Sequence, residues 1–559
     1  MFALALFAYV ATASAYVWPS PKLDALEAQR WDQDDTISGV ASFVQPCSFF
    51  NFGPADGSET GRANGPDWIR TAYHDMATHN GDDGTGGLDA SIRFEEEQSR
   101  PENAGTGFQN TLAVFVSFTS RHVSMADMIA IGAITAIENC NGPQIAFRGG
   151  RVDADAPNPP GVPEPEQDLS SHIASFARQG FTQTEMISLI ACGHSFGGVE
   201  HKPFPQIVPE LNEANNSLSV AHFDTTFSVF DNNVATEYIA GTTQNPLVVG
   251  ANDTTNSDKR IFASDNNATM LSFAKSPDLF ASTCATMFAR MLDTVPSGVE
   301  LTDVIDPLPI KPASVALVLD GDKLKFSGLV RLFNDTADRT VQILLDDRNG
   351  STTTATLAND HSSSAMGGRV QSTWYAFNGT SNDDGTPGAL SLDPAAGITR
   401  MRFTVDGKLE DQGGVGFAVQ DGVVFSRSSC LTVAPADGGD GSGSDSPIAG
   451  RFDIAVRNGV NPARVFLEQE VQDSVNRTVV KETDVPPPAQ PAAASASSYS
   501  IWSIDLKDTN RYTIGAEIDG AQFSTIDTHS LTDLAPCEGA KRRRRRLEHK
   551  RKSHGYGGA

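Results

Sequence analysis

The sequence changes character after Pro307-Leu308-Pro309, and this change limits the folds open to the chain. Before it, amphipathic runs with helical spacing, such as Met125 to Glu138, are separated by Gly, Pro and Asn loops. After it, short alternating runs such as Thr399 to Val405 are separated by Asp-Gly and Asn-Gly turns. We therefore predict a multidomain protein, with a mainly α-helical domain followed by two β-rich, sandwich-like modules.

Composition shifts set the expected domain boundaries. A Gly/Ser/Asp-rich segment interrupts the β-rich part, and a Pro/Ala-rich stretch, 486–496, lies further on. The predicted units are a signal peptide at 1–15, the helical domain at 16–307, a β-rich module at 308–436, a linker at 437–449, a second module at 450–537 and a disordered tail at 538–559.

The N-terminal residues favour export. An apolar run, Phe2 to Val10, leads to Ala13-Ser14-Ala15, which has the small-x-small form that signal peptidase cleaves. A short buried helix is the alternative interpretation. Six cysteines permit three disulfides, as in other exported chains. Seven N-glycosylation sequons fit the same route, at Asn215, Asn252, Asn267, Asn334, Asn349, Asn378 and Asn476.

The charge of the chain limits its partners. The net charge of −27 disfavours nucleic acid and anionic membranes as main partners. The segment Lys541 to Lys552 is basic, and it is either a solvated tail or a site for polyanions such as acidic wall polysaccharide. No later run is apolar for long enough to span a membrane. We expect a secreted, soluble monomer.

Arg70 and His74 are the first candidate catalytic pair. They are four residues apart, so on a helix they share one face and can converge on one ligand. A neutral imidazole can take a proton from bound hydrogen peroxide, while a guanidinium stabilises the charge that develops as the O–O bond breaks. Taken alone, the pair is more typical of a solvated helix face.

The following loops support that helix. Gly87, Asp89 and Ser91 supply carbonyl, carboxylate and hydroxyl oxygens that can join Asp75 around calcium. Further on, an Asn103 side-chain carbonyl that accepts from Nδ1 of His74 would leave Nε2 free as the base, and Glu97 could orient Asn103.

These motifs resemble the distal half of the plant, fungal and bacterial haem peroxidase superfamily, and secreted fungal members in particular. The similarity runs through 70–75, 87–91, Glu97 and Asn103, and continues in 123–130 and 147–154. Within the resemblance, an apolar run that ends in Cys192-Gly-His194-Ser195 makes His194 the iron ligand of a haem b. Asp265 resembles the carboxylate that accepts from the other nitrogen of that ligand.

The resemblance also implies a second calcium ion and one disulfide. The calcium ligands would be Ser195, Asp224, Thr226, Val229 and Asp231. The disulfide would join Cys47 to Cys140, which leaves Cys192 with Cys284 and Cys430 with Cys537 by elimination, although a free buried thiol at Cys192 stays open.

Some positions depart from the family, and they narrow the implied substrate. The aromatic residue before the base is Tyr73, and Leu189 stands where lignin oxidisers carry an exposed Trp. Manganese oxidisers use three acids near a haem propionate; Asp67 and Glu200 match two, and Ala63 replaces the third. The resemblance implies reduction of hydrogen peroxide and oxidation of small phenols through a ferryl intermediate. A weakly active surface or cell-wall binding protein and a manganese oxidiser are the alternatives.

Overall fold

The computed structural model describes residues 16–33, 38–53, 59–377, 388–433, 448–488, 498–525 and 527–537. The predicted signal peptide, the sequon at Asn378, most of the predicted linker and the basic tail lie outside these ranges. The helices of the described part are α1 Pro21–Trp31, α2 Asn64–Met76, α3 Glu95–Gln98, α4 Gly107–Phe115, α5 Met125–Asn139, α6 Leu169–Arg178, α7 Gln183–Gly193, α8 Asn233–Ala240, α9 Pro246–Val249, α10 Ser257–Phe262, α11 Ala268–Lys275 and α12 Pro277–Leu292. None of these helices is long and apolar enough to cross a membrane.

Most strands come after the last α-helix in the chain, and only the first three come before it. All strands of the described part are numbered in chain order. They are β1 Tyr16–Val17, β2 Gly198–Glu200, β3 Val220–His222, β4 Ile310–Asp320, β5 Lys323–Leu332, β6 Val341–Asp346, β7 Thr352–Thr356, β8 Ala358–Ala365, β9 Val370–Ala376, β10 Ala389–Leu392, β11 Arg400–Val405, β12 Lys408–Glu410, β13 Phe417–Val419, β14 Val423–Ser426, β15 Cys430–Val433, β16 Ala449–Arg457, β17 Arg464–Gln472, β18 Thr478–Asp484, β19 Tyr499–Leu506, β20 Arg511–Ile518, β21 Ala521–Ser524 and β22 His529–Ser530. The predicted order of a helical domain and then a β-rich part is confirmed.

The helical domain is built around α5, whose residues are all buried. Its first turn is capped by Ser124, whose hydroxyl accepts from the backbone N–H of Asp127. Helix α7 begins with a capping box between Thr182 and Glu185 and continues into an apolar run. Disulfides Cys47–Cys140 and Cys192–Cys284 fasten the ends of α5 and α7 to neighbouring segments.

The β-rich part consists of three main sheets that form two sandwiches. Its central nine-stranded sheet has the order β15-β16-β14-β4-β5-β9-β8, with β10 and β19 at its sides. One face of the central sheet packs against the sheet β1-β13-β11-β6-β7, and its opposite face packs against β18-β17-β20-β21, each through its own apolar core. Because β14 pairs with β16, the central sheet crosses the predicted boundary at 437–449, and the two β-rich modules share it. The disulfide Cys430–Cys537 closes the second sandwich.

A buried ion cluster joins the helical domain to the β-rich part. Arg331 on β5 bonds to both Glu27 and Asp32 at the end of α1, and Lys311 on β4 lies 2.7 Å from Glu27. These side chains are at most 2% exposed. Because a buried charge without its partner is costly, the two parts are expected to be stable only together.

Candidate active site

A cavity of about 300 Å³ lies between α2 and α7, which is within the size range of ligand pockets. His74 and Arg70 line the α2 wall, and His194 lines the α7 wall. The rest of the lining is largely apolar and includes Ile69, Leu189, Phe196, Val199, Ile207, Leu247, Ile261, Phe288 and Met291. The turn after His194 lies close to α2, because a Cβ at Gly197 would meet Pro66 at 2.6 Å.

His74 is held as a neutral base on the α2 wall. Its Nδ1 lies 2.7 Å from Oδ1 of Asn103, and Nδ2 of Asn103 donates to the backbone carbonyl of Glu97 at 2.8 Å. Because a carbonyl only accepts, the amide orientation is fixed, Nδ1 of His74 carries the proton, and Nε2 keeps its lone pair. Burial and the charge of Arg70 hold the pKa of His74 well below its usual value.

Glu97 acts through a different atom than the sequence suggests. Its backbone carbonyl orients Asn103, whereas its carboxylate accepts from the backbone N–H of Asn158. Burial raises the pKa of Glu97 to about 7.

Arg70 lies beside His74 and remains cationic. Its guanidinium is 4.4 Å from the ring centroid of Phe108 and contacts the carbonyl oxygen of Glu102 at 3.4 Å. Burial lowers its pKa to about 10, which still leaves it protonated at neutral pH. Tyr73 also lines the cavity, and its ring stacks on Phe176.

The prediction that Asp265 accepts from Nδ1 of His194 is wrong. Asp258, in the first turn of α10, accepts from Nδ1 of His194 at 2.7 Å and from Nδ2 of Asn245 at 2.8 Å. Asp265 instead accepts from the backbone N–H and hydroxyl of Thr269. The sequence contains two Ser-Asp pairs seven residues apart, and α10 ends between them, so only the first faces His194.

The environment of His194 fits an iron ligand. Asp258 engages Nδ1, which leaves Nε2 as the nitrogen available for a metal, and a carboxylate in this position raises the basicity of the imidazole. The ring of Phe223 stacks on His194 with centroids 4.2 Å apart. Neither this stacking partner nor Asn245 could be predicted from the sequence, because both lie far from His194 along the chain. Opposed imidazoles in an apolar cavity match the needs of a haem.

The two predicted calcium sets differ in their surroundings. In the first, the carboxylate of Asp75 accepts three backbone N–H groups, and Asp89 and Ser91 lie close to Asn158. The N–H of Gly87 donates to the hydroxyl of Thr78.

The second set lies between α7 and α8. Asp224 accepts from the N–H of Thr226 at 2.9 Å, and the hydroxyl of Ser195 donates to the carbonyl of Cys192. The N–H of Val229 donates to the carbonyl of Thr226, and Asp231 accepts from the N–H of Asn233.

Asp67 and Glu200, the two acids that match the manganese oxidisers, lie at the edge of the cavity and share one arginine. The guanidinium of Arg62 lies 2.9 Å from Asp67 and 3.1 Å from Glu200, and it also donates to the hydroxyl of Thr106. All three charged side chains are mostly buried and line the cavity. The sequence pattern did not reveal that Arg62 bridges the two acids.

Comparisons with known proteins agree with this geometry. A sequence model of the family described as Peroxidase matches residues 56–276. A WSC domain-containing protein of Arthroderma benhamiae is 39% identical over 355 residues, which are 62% of this chain and 48% of that protein. The peroxisomal L-ascorbate peroxidase 5 of Arabidopsis thaliana is 34% identical over 134 residues, 24% of this chain and 47% of its own length. The mitochondrial cytochrome c peroxidase of Yarrowia lipolytica is 27% identical over 183 residues, 32% of this chain and 51% of its own.

This chain spans about half the length of these curated relatives. The family match covers both walls of the cavity, with Arg70 and His74 on one side and His194 with Asp258 on the other. The helical region of this chain therefore belongs to the haem peroxidase superfamily.

Proposed function

We propose that the protein is a secreted haem peroxidase that reduces hydrogen peroxide and oxidises small phenols or other one-electron donors. The observation that carries the proposal is the arrangement across the cavity. A neutral, hydrogen-bonded His74 beside cationic Arg70 faces a carboxylate-supported His194.

The residues divide the chemistry between the two walls. Haem, when bound, supplies the iron and the conjugated ring from which peroxide takes two electrons. Nε2 of His74 would take a proton from one oxygen of the peroxide and return it to the other oxygen, which departs as water. Arg70 stabilises the negative charge on the departing oxygen.

The α7 wall would hold the iron. Nε2 of His194 is the ligand, and Asp258 keeps the proton on Nδ1 and lends the imidazole anionic character. Two donor molecules would each supply one electron and one proton, which together complete the reduction of peroxide to two molecules of water.

Calcium at the second set is part of the proposal. Oδ2 of Asp224 is buried and has no hydrogen-bond partner among the described residues, and the same holds for Oε2 of Glu237 nearby. Burial and the neighbouring acids raise the pKa of Asp224 to about 7. Unpaired buried carboxylate oxygens beside the hydroxyl of Thr226 form a donor set that suits a hard cation.

Secretion is supported by the sequons and disulfides. The six sequon asparagines within the described ranges are all exposed, and the six cysteines form three disulfides. Disulfides of this kind are typical of oxidising compartments.

The proposed activity is tested with the full chain produced by secretion and loaded with haem. We expect a Soret band at one haem per chain and peroxide-dependent oxidation of guaiacol. His194→Ala should lose the Soret band, whereas the matched control His201→Ala, whose imidazole bonds to the carbonyl of Val208, should keep it. A wild-type chain that binds no haem would refute the proposal.

A further inference from the structure

The first predicted calcium set is satisfied from within the chain. Oδ2 of Asp75 accepts from the N–H groups of Asp89 and Ala90 at 2.9 and 2.7 Å, and Oδ1 accepts from the N–H of Ile92 at 2.9 Å. Backbone N–H groups of the loop therefore occupy both oxygens of this carboxylate.

The side-chain amide of Asn158 fills the space between the other ligands. Nδ2 of Asn158 lies 3.1 and 3.0 Å from the two carboxylate oxygens of Asp89, 3.0 Å from Oγ of Ser91 and 3.2 Å from Oγ1 of Thr78. A nitrogen at nearly equal distances from these oxygens lies where a cation shared by them would lie. An N–H group repels a cation and cannot act as its ligand.

The backbone holds Asn158 in this position. Its N–H donates to Oε1 of Glu97, and prolines precede and follow it at 157 and 159. Proline fixes its own φ and restricts the residue before it, so the amide is directed at the loop by a stiff segment.

We propose that the amide of Asn158 replaces the calcium ion of the first set, so that the chain binds one calcium ion, at the second set, and not two. The loop that carries Asp89 and Ser91 is then fastened by hydrogen bonds. This assignment departs from the two calcium ions that the sequence predicts.

The second set differs from the first in the hydrogen bonds of its carboxylates. Oδ2 of Asp224 and Oε2 of Glu237 are buried there without hydrogen-bond partners among the described residues. The side-chain amide of Asn233 donates to the hydroxyl of Thr226 and not to these oxygens. By contrast, no oxygen of Asp75 or Asp89 is a buried atom without a partner. The predicted ligands on the α7 side thus keep a buried carboxylate oxygen free for an ion, whereas the carboxylate oxygens of Asp75 and Asp89 are engaged by the chain.

The hydrogen bonds of Asn158 extend to the catalytic base, His74. Glu97 bonds to both segments, because its carboxylate accepts from the backbone N–H of Asn158 and its backbone carbonyl accepts from Nδ2 of Asn103. The position of His74 is therefore set by a chain of hydrogen bonds that chelators do not remove.

The test is the calcium content of the purified full chain after equilibration with calcium and desalting, measured by elemental mass spectrometry. We expect one ion per chain in the wild type, none in Asp224→Asn and one in Asp89→Asn. Asn158→Ala keeps the backbone N–H but opens the space, and it should bind two. The matched control Asn80→Ala removes an amide that donates to Asp83 in a neighbouring turn, and it should bind one.

Two ions in the wild type, one of them lost in Asp89→Asn, would overturn the inference. If Asn158→Ala does not fold, the pair Asp224→Asn and Asp89→Asn decides the question. Metal content needs no turnover, so the result is independent of the peroxidase activity proposed above.

Discussion

Asp258 and His194 are joined by a 2.7 Å hydrogen bond between a carboxylate oxygen and Nδ1. They are 64 residues apart, and the bond forms because the first turn of α10 lies behind the end of α7. Asp258 is 1% exposed on its side chain, so the bond is shielded from water. This pair fixes the orientation of the proposed iron ligand.

Removing the charge of Asp258 should weaken the iron–imidazole bond. In Asp258→Asn we expect a lower iron–histidine stretching frequency in resonance Raman spectra and a peroxide reaction about 10–100-fold slower, as for other partners of metal ligands. Asp265→Asn is the matched control. It loses only the contact with Thr269, so its spectrum should match the wild type. The reverse pattern would restore Asp265 to the role that the sequence suggested.

The rate of the peroxide reaction should depend on pH through His74 and Arg70. The reaction needs the neutral imidazole, whose pKa is held well below 6.5, and the cationic guanidinium, whose pKa is about 10. We expect a constant rate from about pH 7 to about pH 9, a fall only well below pH 6.5, and a second fall near pH 10.

Asn103→Asp tests the origin of the acid limb. A carboxylate that accepts from Nδ1 stabilises the imidazolium and raises the pKa of His74, so the acid limb should move to higher pH. Stopped-flow kinetics across the pH range measures the rate of the peroxide reaction in the wild type and in Asn103→Asp. An unchanged acid limb would mean that a different group controls it.

Arg62 should exclude manganese from the edge of the cavity. Its guanidinium neutralises Asp67 and Glu200, the two acids that match the manganese oxidisers. We expect the wild type to bind no Mn²⁺ in an electron paramagnetic resonance titration and to oxidise none. Arg62→Ala combined with Ala63→Glu should bind it, because three carboxylates then lack a cation. Tight binding of Mn²⁺ by the wild type would contradict this account.

The β-rich part should stabilise the helical domain. Arg331→Leu leaves the buried charge of Asp32 without its ion pair and leaves Glu27 paired with Lys311 alone, and we expect it to reduce the free energy of unfolding by about 3–5 kcal/mol. The matched control Arg339→Leu removes exposed pairs with Asp335 and Asp406, and it should change the free energy of unfolding far less because water screens these charges. Thermal melts followed by the Soret band and by circular dichroism should fall together in Arg331→Leu. A chain cut after residue 307 should be unstable for the same reason.

Much of the fold could be predicted from the sequence, because its periodicity is strong. The run Met125 to Glu138 is predicted as a helix, and α5 spans Met125–Asn139. The run Gly414 to Val419 is predicted as a strand, but β13 begins at Phe417. Positive φ values at Gly414 and Gly416 place the first half of that run in a turn.

The site could be predicted only in part. Local motifs placed His74, Arg70 and His194, because each depends on neighbours within a few residues. Asp258, Arg62 and Asn158 were missed, because their roles depend on contacts between segments that are distant in the chain. Two Ser-Asp pairs with similar surroundings could not be separated without the three-dimensional position of α10.

The role of His74 is tested most directly by the rate at which the haem-loaded full chain reacts with hydrogen peroxide in wild type and His74→Leu. Both proteins should show the same Soret band at rest, because His194 is intact. The spectral change on adding peroxide should be about 10²–10⁴-fold slower in His74→Leu. Equal rates in the two proteins would contradict the assignment of His74 as the base.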